Sequence, residues 1–307
     1  RYPDPLCRAL RAKLAVHETV PTAHILCGNG AADLIFRLVW AAKPRTALLP
    51  APTFAEYAAA LETAGCTVRR HFLRESEDFA VTEAFISAVD EDTDMVFLCQ
   101  PNNPTGQLAS PELVKKLLRR CGECRTILAV DECFLDFIKN EEGYSAAGWL
   151  AEYPNLIILK SFTKMYAIPG LRLGYVLSAD ADLLNRMRLA GQPWSVSEPA
   201  QAAGIAALRA EGFREQTIDL VDRERAFLKK KLEELGLCVC EGHANYLCFQ
   251  AAGDEKLADR MQAEGILIRR CANYHGLGAD FYRTAVRGHA ENAKLLEALE
   301  KVLQKGT

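Results

Sequence analysis

Between Ile25 and Leu177, short runs of almost purely apolar residues alternate with longer helical stretches, and this alternation restricts the fold more than anything else in the chain. The runs are His24-Ile25-Leu26-Cys27, Thr46-Ala47-Leu48-Leu49-Pro50, Met95-Val96-Phe97-Leu98-Cys99, Thr126-Ile127-Leu128-Ala129-Val130 and Leu156-Ile157-Ile158-Leu159, and the more polar Cys66 to Phe72 reads as a further strand. Successive side chains of a strand point to opposite faces, so a strand that is apolar throughout must be covered on both sides. Apolar strands separated by helices predict an α/β fold with a mainly parallel sheet between two helical layers.

The texture changes after Ser178. Asp180 to Ala190 and Ala200 to Gly236 read as helical, joined by Gly191-Gln192-Pro193-Trp194-Ser195. Strands are expected near Leu237–Val239, Tyr246–Phe249, Ile266–Arg269 and Phe281–Val286, with helices at Glu255–Gln262 and Glu291–Lys305. The chain thus divides into a large domain, 1–205, which includes the start of an interdomain helix, and a small α+β domain, 206–307. Earlier helices are expected at Leu6 to Val16, after the stiff lead-in Arg1-Tyr2-Pro3-Asp4-Pro5, at Thr82 to Val89, and at Pro111 to Cys121 with Ser110 as N-cap.

Composition excludes several classes. A net charge of -3 over 307 residues gives no basic footprint for nucleic acid. No apolar run approaches the roughly 20 residues that span a bilayer. The 11 cysteines are odd in number and scattered through core strands and helices, which predicts free thiols in a reducing cytoplasm. Cys121-Gly-Glu-Cys124 has no second pair or histidine cluster to complete a metal site, and no metal is expected.

The chemistry concentrates after the strand at Leu156, in Ser161-Phe162-Thr163-Lys164 and Pro169-Gly170-Leu171-Arg172. A lysine held between two buried strands would have its pKa lowered, leaving a neutral amine able to attack a carbonyl. Ser161 and Arg172 supply donors suited to a phosphate. A ligand carrying both carbonyl and phosphate is implied, and pyridoxal 5′-phosphate (PLP) meets both requirements. An ordinary strand connection with a solvated lysine is the competing reading of this stretch.

Four further stretches bear on the choice. Gly28-Asn29-Gly30-Ala31-Ala32-Asp33 places small residues at a helix start, where backbone N–H groups can hold a phosphate. Thr53-Phe54 presents an aromatic at a strand's C-terminal end, and Gln100-Pro101-Asn102-Asn103-Pro104-Thr105-Gly106 is a stiff loop exposing an amide. Asp131-Glu132 follows an apolar strand directly, where a carboxylate needs a partner such as a protonated pyridine nitrogen, or else caps the next segment. Finally, Arg269-Arg270 and Arg283 to Arg287 put guanidinium groups at strand ends. Alternation lets at most one of Arg269 and Arg270 face a cleft, with Arg270 read as a surface residue, and Arg283 and Arg287 share a face only if the strand persists.

Taken in order, Gly28-Asn29-Gly30, Asn103-Pro104-Thr105-Gly106, Asp131-Glu132 and Ser161-x-x-Lys164 with Arg172 resemble the fold-type-I PLP-dependent aminotransferase superfamily over essentially the whole chain. The resemblance implies that Lys164 forms the Schiff base with the cofactor, Asp131 pairs with its ring nitrogen, Asn103 donates to its 3-oxygen and Phe54 stacks on its ring. Ser161, Arg172 and the backbone of Gly30, Ala31 and Ala32 would hold its phosphate. Tyr2 would reach a partner subunit's cofactor phosphate, implying a homodimer with shared sites. Arg283 would hold the substrate α-carboxylate, with Asn103 and Arg269 beside it on a phosphorylated amino acid. Many members carry a tyrosine three residues after the aspartate, and here Phe134 stands there.

Within the superfamily, Tyr166 to Tyr175, Gln192 to Val196, Ala244-Asn245-Tyr246-Leu247 and Ile266 to Tyr274 are similar to the histidinol-phosphate aminotransferase branch and most similar to the threonine-phosphate decarboxylases of cobalamin synthesis. That branch carries an N-terminal arm with substrate contacts, and the sequence begins after the place where the arm would stand. The implied activity is decarboxylation of O-phospho-L-threonine to aminopropanol phosphate. Transamination of histidinol phosphate or a related substrate is the alternative, and a PLP-binding regulator, normally fused to a DNA-binding domain, is a distant third.

Overall fold

The computed structural model describes residues 2–210 and 212–304. Arg1 of the lead-in and Lys305, the predicted last residue of the C-terminal helix, lie outside these. The first half of the chain runs α1 (Arg8–His17), β1 (Ile25–Gly28), α2 (Gly30–Ala42), β2 (Thr46–Ala51), α3 (Ala55–Thr63), β3 (Thr67–Phe72), α4 (Glu83–Ser87) and β4 (Met95–Cys99). It continues through α5 (Pro111–Glu123), β5 (Ile127–Asp131), β6 (Leu156–Ser161), α6 (Phe162–Met165), β7 (Gly174–Leu177) and α7 (Ala181–Ala190). Ser110 is the N-cap of α5, its Oγ accepting from the Leu113 N–H at 3.2 Å.

Seven strands form one sheet in the order β1-β7-β6-β5-β4-β2-β3. Strands β3, β2, β4, β5 and β6 pair in parallel, as the apolar runs predict. Strand β7 runs antiparallel between β6 and β1. Its connection from β6 is short, with the one-turn helix α6 and a 3-10 turn at Pro169–Leu171, and it turns back beside its own strand, so the chain returns in the opposite sense. Lys164 sits on that return.

Strict alternation sorts the core into two layers. Met95, Phe97, Ala129, Ile157 and Leu159 pack on one face with α2 and α3, whereas Val96, Leu98, Leu128, Val130, Leu156 and Ile158 pack on the other with α5. By the same parity, Asp131 at the end of β5 belongs to the first face and its neighbour Glu132 to the second.

The chain continues through α8 (Glu198–Ala207), α9 (Phe213–Glu234), β8 (Cys238–Val239), β9 (Tyr246–Gln250), α10 (Leu257–Ala263), β10 (Arg269–Arg270), β11 (Phe281–Ala285) and α11 (His289–Gln304). The four strands form an antiparallel sheet ordered β10-β11-β9-β8. Two sequence readings change here. The helical stretch from Ala200 to Gly236 is two helices, because the chain turns at Gly212, whose φ of +73° suits glycine. The strand predicted from Ile266 shrinks to Arg269–Arg270, because Ile266 still closes α10 by donating its N–H to Met261 O.

The small sheet is fastened to the large one beside the Asn102–Gly106 loop. His243 N–H donates to Gly106 O at 2.8 Å, and Tyr246 Oη donates to Asn102 O at 2.7 Å. Asp78 Oδ2 accepts from the Glu241 N–H and from Gln107 Nε2. Gly106 has φ +78°, and a Cβ there would lie 2.7 Å from Gly242 Cα, so no other residue fits this contact.

Candidate active site

The C-terminal ends of β2, β4, β5 and β6 and the start of α2 converge on a cleft of about 510 Å³, counted to its open mouth. Parallel sheets hold ligands at this end. Ala31, Ala32, Phe54, Asn103, Asp131, Ser161, Lys164 and Arg172 all line it, so eight residues scattered over 142 positions of sequence meet in one place.

One corner is built for an anion. Helix α2 starts at Gly30, and its first-turn N–H groups, Gly30 to Ala32, have no intrahelical acceptors. Gly30 has φ +83°, and a Cβ there would lie 2.5 Å from Arg172 Nη2; one at Gly174 would lie 2.7 Å from Ala31 N. Backbone, strand and guanidinium therefore press together into a cup that side chains would fill. Ser161 caps α6, its Oγ accepting from the Thr163 N–H at 3.2 Å and standing 2.7 Å from Thr163 Oγ1.

The opposite end holds the buried Asp131, 5% exposed. Its Oδ1 accepts from the Cys133 N–H at 3.0 Å, and its Oδ2 accepts from Tyr57 Oη at 2.6 Å. Phe54 lines the cleft above, edge-on to Tyr57 with ring centroids 5.5 Å apart. Asn103 Oδ1 accepts from Arg283 Nη1 and from Tyr274 Oη, the latter at 3.2 Å. A guanidinium can only donate, so Arg283 fixes the amide flip and leaves Asn103 Nδ2 as a free donor.

The structure corrects the argument from a buried lysine. Lys164 is exposed on the return after β6, its Nζ 5.3 Å from the centre of the Phe134 ring. The buried lysine is Lys160, in β6 itself, 5% exposed. Its Nζ lies 3.1 Å from Glu18 Oε2 and 3.7 Å from Glu132 Oε2. Burial pulls the Lys160 pKa down, but Glu18 and Glu132 outweigh it, and the net shift is upward. Burial pushes the Glu132 carboxyl up. Glu132 also holds a later turn, accepting from Ser145 Oγ at 2.8 Å and from the Ala146 N–H at 2.7 Å. Asp131 lines the cleft and at the same time bonds the segment that follows it, through the Cys133 N–H, whereas Glu132 serves the fold.

In the small sheet, β10 and β11 pair with Arg269 directly opposite Arg283; neither lines the cleft itself, and Arg283 reaches it through Asn103. Like charges in such a pair repel unless an anion lies between them. Arg283 is half-buried, its Cζ 4.9 Å from the Tyr246 ring centre, and Arg269 Nη2 donates to Asn273 Oδ1 at 3.2 Å. The other two arginines are surface residues. Arg270 pairs with Asp259, and Arg287, beyond the end of β11, pairs with Glu291 at 2.7 Å. Tyr2 does not line the cleft: it is 78% exposed and its ring lies 4.9 Å from Trp194.

Sequence reasoning missed Tyr57 and Thr163. Tyr57 sits one helical turn after Phe54, a spacing that signals a shared face. Thr163 stands two residues after Ser161, the short offset at which a hydroxyl bonds a neighbouring backbone or side chain. Cys99 and Cys133 also line the cleft as buried free thiols; Cys133 is pushed up in pKa by burial. All 11 cysteines are free.

The donor set suits PLP. The cup offers hydroxyl, guanidinium and backbone N–H donors for a phosphate, Asp131 is an acceptor at the far end, Phe54 an apolar face between them, and Lys164 an amine at the mouth. The cleft volume falls within the range of cofactor sites.

Residues 2–302 match the family model of aminotransferase class I and II, and the chain belongs to that family. It is 42% identical to the threonine-phosphate decarboxylase of Salmonella typhimurium over 99% of this chain and 83% of that protein. Among solved structures it resembles the histidinol-phosphate aminotransferase of Clostridium acetobutylicum, with a TM-score of 0.93 and 28% identity, covering 99% of this chain and 91% of that one. It also resembles the L-threonine-O-3-phosphate decarboxylase of Porphyromonas gingivalis, with a TM-score of 0.86, 28% identity and the same coverage. The fold is that of the PLP-dependent transferases, α/β with a second small sheet. Among the described residues, no helix is long and apolar enough to cross a membrane.

Proposed function

We propose that this chain is a PLP-dependent decarboxylase acting on O-phospho-L-threonine, releasing carbon dioxide and aminopropanol phosphate. The observation that carries the choice of reaction is the 42% identity, over 99% of the chain, to the Salmonella decarboxylase. The geometry supports the choice of substrate. Arg283 and Arg269 stand side by side on one face of the small sheet, beside Asn103, where one guanidinium can take a carboxylate and the other a phosphate.

In this reading Lys164 attaches the cofactor, Asp131 faces its ring nitrogen, Asn103 Nδ2 donates to its 3-oxygen and Phe54 covers its ring. Ser161, Thr163, Arg172 and the start of α2 hold its phosphate. When bound, the cofactor supplies an electron sink for the pair released at Cα. The chain decides which bond at Cα is broken, because the arginines set how the substrate is turned. Arg283 on the carboxylate and Arg269 on the phosphate fix two points of one small molecule, and binding energy remote from the reacting bond holds the Cα–carboxylate bond in its reactive orientation. The carboxylate leaves as carbon dioxide and a proton takes its place at Cα, with Lys164 Nζ as the amine at the cleft mouth able to carry it. Phe134 brings no hydroxyl to the 3-oxygen, leaving Asn103 as the side-chain donor there. A homodimer with shared sites belongs to the same reading, supported by an exposed Tyr2 that stands outside its own cleft. So does a cytoplasmic setting, supported by the free thiols.

The test is to supply O-phospho-L-threonine to the PLP-loaded protein without any keto acid and measure carbon dioxide. Release over many turnovers per site is expected. Conversion of the cofactor to its amine form, reversed by 2-oxoglutarate and without carbon dioxide, would instead identify an aminotransferase, the reading favoured by the TM-score of 0.93 to the Clostridium enzyme.

Arg269 separates the two anions of the substrate. Arg269→Ala is expected to lower kcat/KM on O-phospho-L-threonine by about 10- to 100-fold, the range of a charge-assisted hydrogen bond, and on threonine by no more than about 2-fold. Equal losses on both would remove Arg269 from the phosphate role.

A further inference from the structure

We infer that Tyr57 is a positioning residue that acts through Asp131 on the ring nitrogen of the cofactor. The inference rests on the PLP reading above and adds to it a residue that touches neither cofactor nor substrate.

Tyr57 is fully buried in α3, and its ring lies flat against Phe97 of β4, with centroids 4.7 Å apart and an interplanar angle of 12°. Stacking and burial leave the phenol one direction, and along it stands Asp131 Oδ2 at 2.6 Å. The other carboxylate oxygen is held by the Cys133 N–H at 3.0 Å. One donor on each oxygen fixes the plane of the carboxylate, which a single donor would leave free to turn about its last torsion. Each oxygen keeps a further lone pair, and the group lines the cleft, so the clamp fixes the direction in which Asp131 offers its charge. Burial, and then the neighbouring Asp131, push the phenol well above its usual pKa, so Tyr57 is a donor throughout the working pH range.

A buried tyrosine also needs an acceptor for its own sake, and Asp131 satisfies it. The two roles part when the cofactor has no ring nitrogen. Binding of PLP and of 1-deazapyridoxal 5′-phosphate, in which carbon replaces that nitrogen, should be measured with the unmodified chain and with Tyr57→Phe. Both compounds keep the carbonyl that Lys164 attacks and the phosphate, so those contributions cancel in the comparison. Tyr57→Phe keeps the ring and its stack on Phe97; Tyr57→Met, equally without a donor, serves if the phenylalanine variant does not fold.

The expected result is a rise of about 10- to 100-fold in the dissociation constant for PLP, with a change of no more than about 2-fold for the deaza compound. In an Asp131→Asn background the substitution of Tyr57 should then have no further effect on PLP. Equal weakening of both compounds would assign Tyr57 to packing alone and overturn the inference, as would no weakening of either. The same loss with and without Asp131 would overturn it too. Failure of the unmodified chain to bind either compound would bring down the PLP reading itself, and the inference with it; that control tells the two failures apart.

Discussion

Lys164→Ala should abolish the visible absorbance that the protein acquires on loading with PLP, while leaving the far-ultraviolet circular dichroism unchanged. Lys164 is exposed, its Nζ over the face of Phe134 at the cleft, so the fold should lose little with it. Turnover loses both the point of attachment and the amine at the cleft mouth. A fall of at least about 10⁴-fold in carbon dioxide release is expected, the upper end of what one proton-transferring side chain contributes. A variant that keeps the visible band would show that another amine makes the attachment and would undo the assignment of the site.

Lys160→Met, four positions earlier, should do the reverse. Lys160 does not line the cleft and is the cation shared by two carboxyl groups whose side chains are 6% and 0% exposed, Glu18 and Glu132. Removing one partner of a buried ionic group strands the others without water, which costs about 3–5 kcal/mol. The denaturation midpoint in urea should fall accordingly, and adding Glu132→Gln should recover part of the loss, since an amide in that place carries no charge to strand. An unchanged midpoint for Lys160→Met would mean that water reaches these carboxylates.

The two lysines show what sequence can and cannot carry. A run such as Leu156-Ile157-Ile158-Leu159-Lys160-Ser161 announces a buried strand, and strands of this kind were enough to set the parallel sheet, its two covered faces and the position of the site at strand ends. Which lysine is buried depends on where the strand ends and on Glu18 and Glu132, which are distant in sequence and adjacent only once the sheet is folded. Asp131 was legible because a carboxylate after an apolar strand needs an account, and alternation alone separates it from Glu132. Tyr57 was legible only in part: its spacing from Phe54 signals a shared face, but nothing local says that its hydroxyl meets Asp131, 74 positions further on. The pairing of Arg269 with Arg283 was equally hidden, since register between β10 and β11 is set across a turn that sequence spacing does not specify.

The contact between Gly106 and Gly242 has a mechanical consequence. Two backbones meet there without a side chain between them, flanked by the bonds from His243, Tyr246 and Glu241. The small sheet is therefore moored to the very loop that carries Asn103, and Arg283 closes the same joint from the other side by donating to Asn103 Oδ1. The amide that would face the cofactor and the guanidinium that would face the substrate are thus locked to one another. A shift of the small sheet would be felt at both places together.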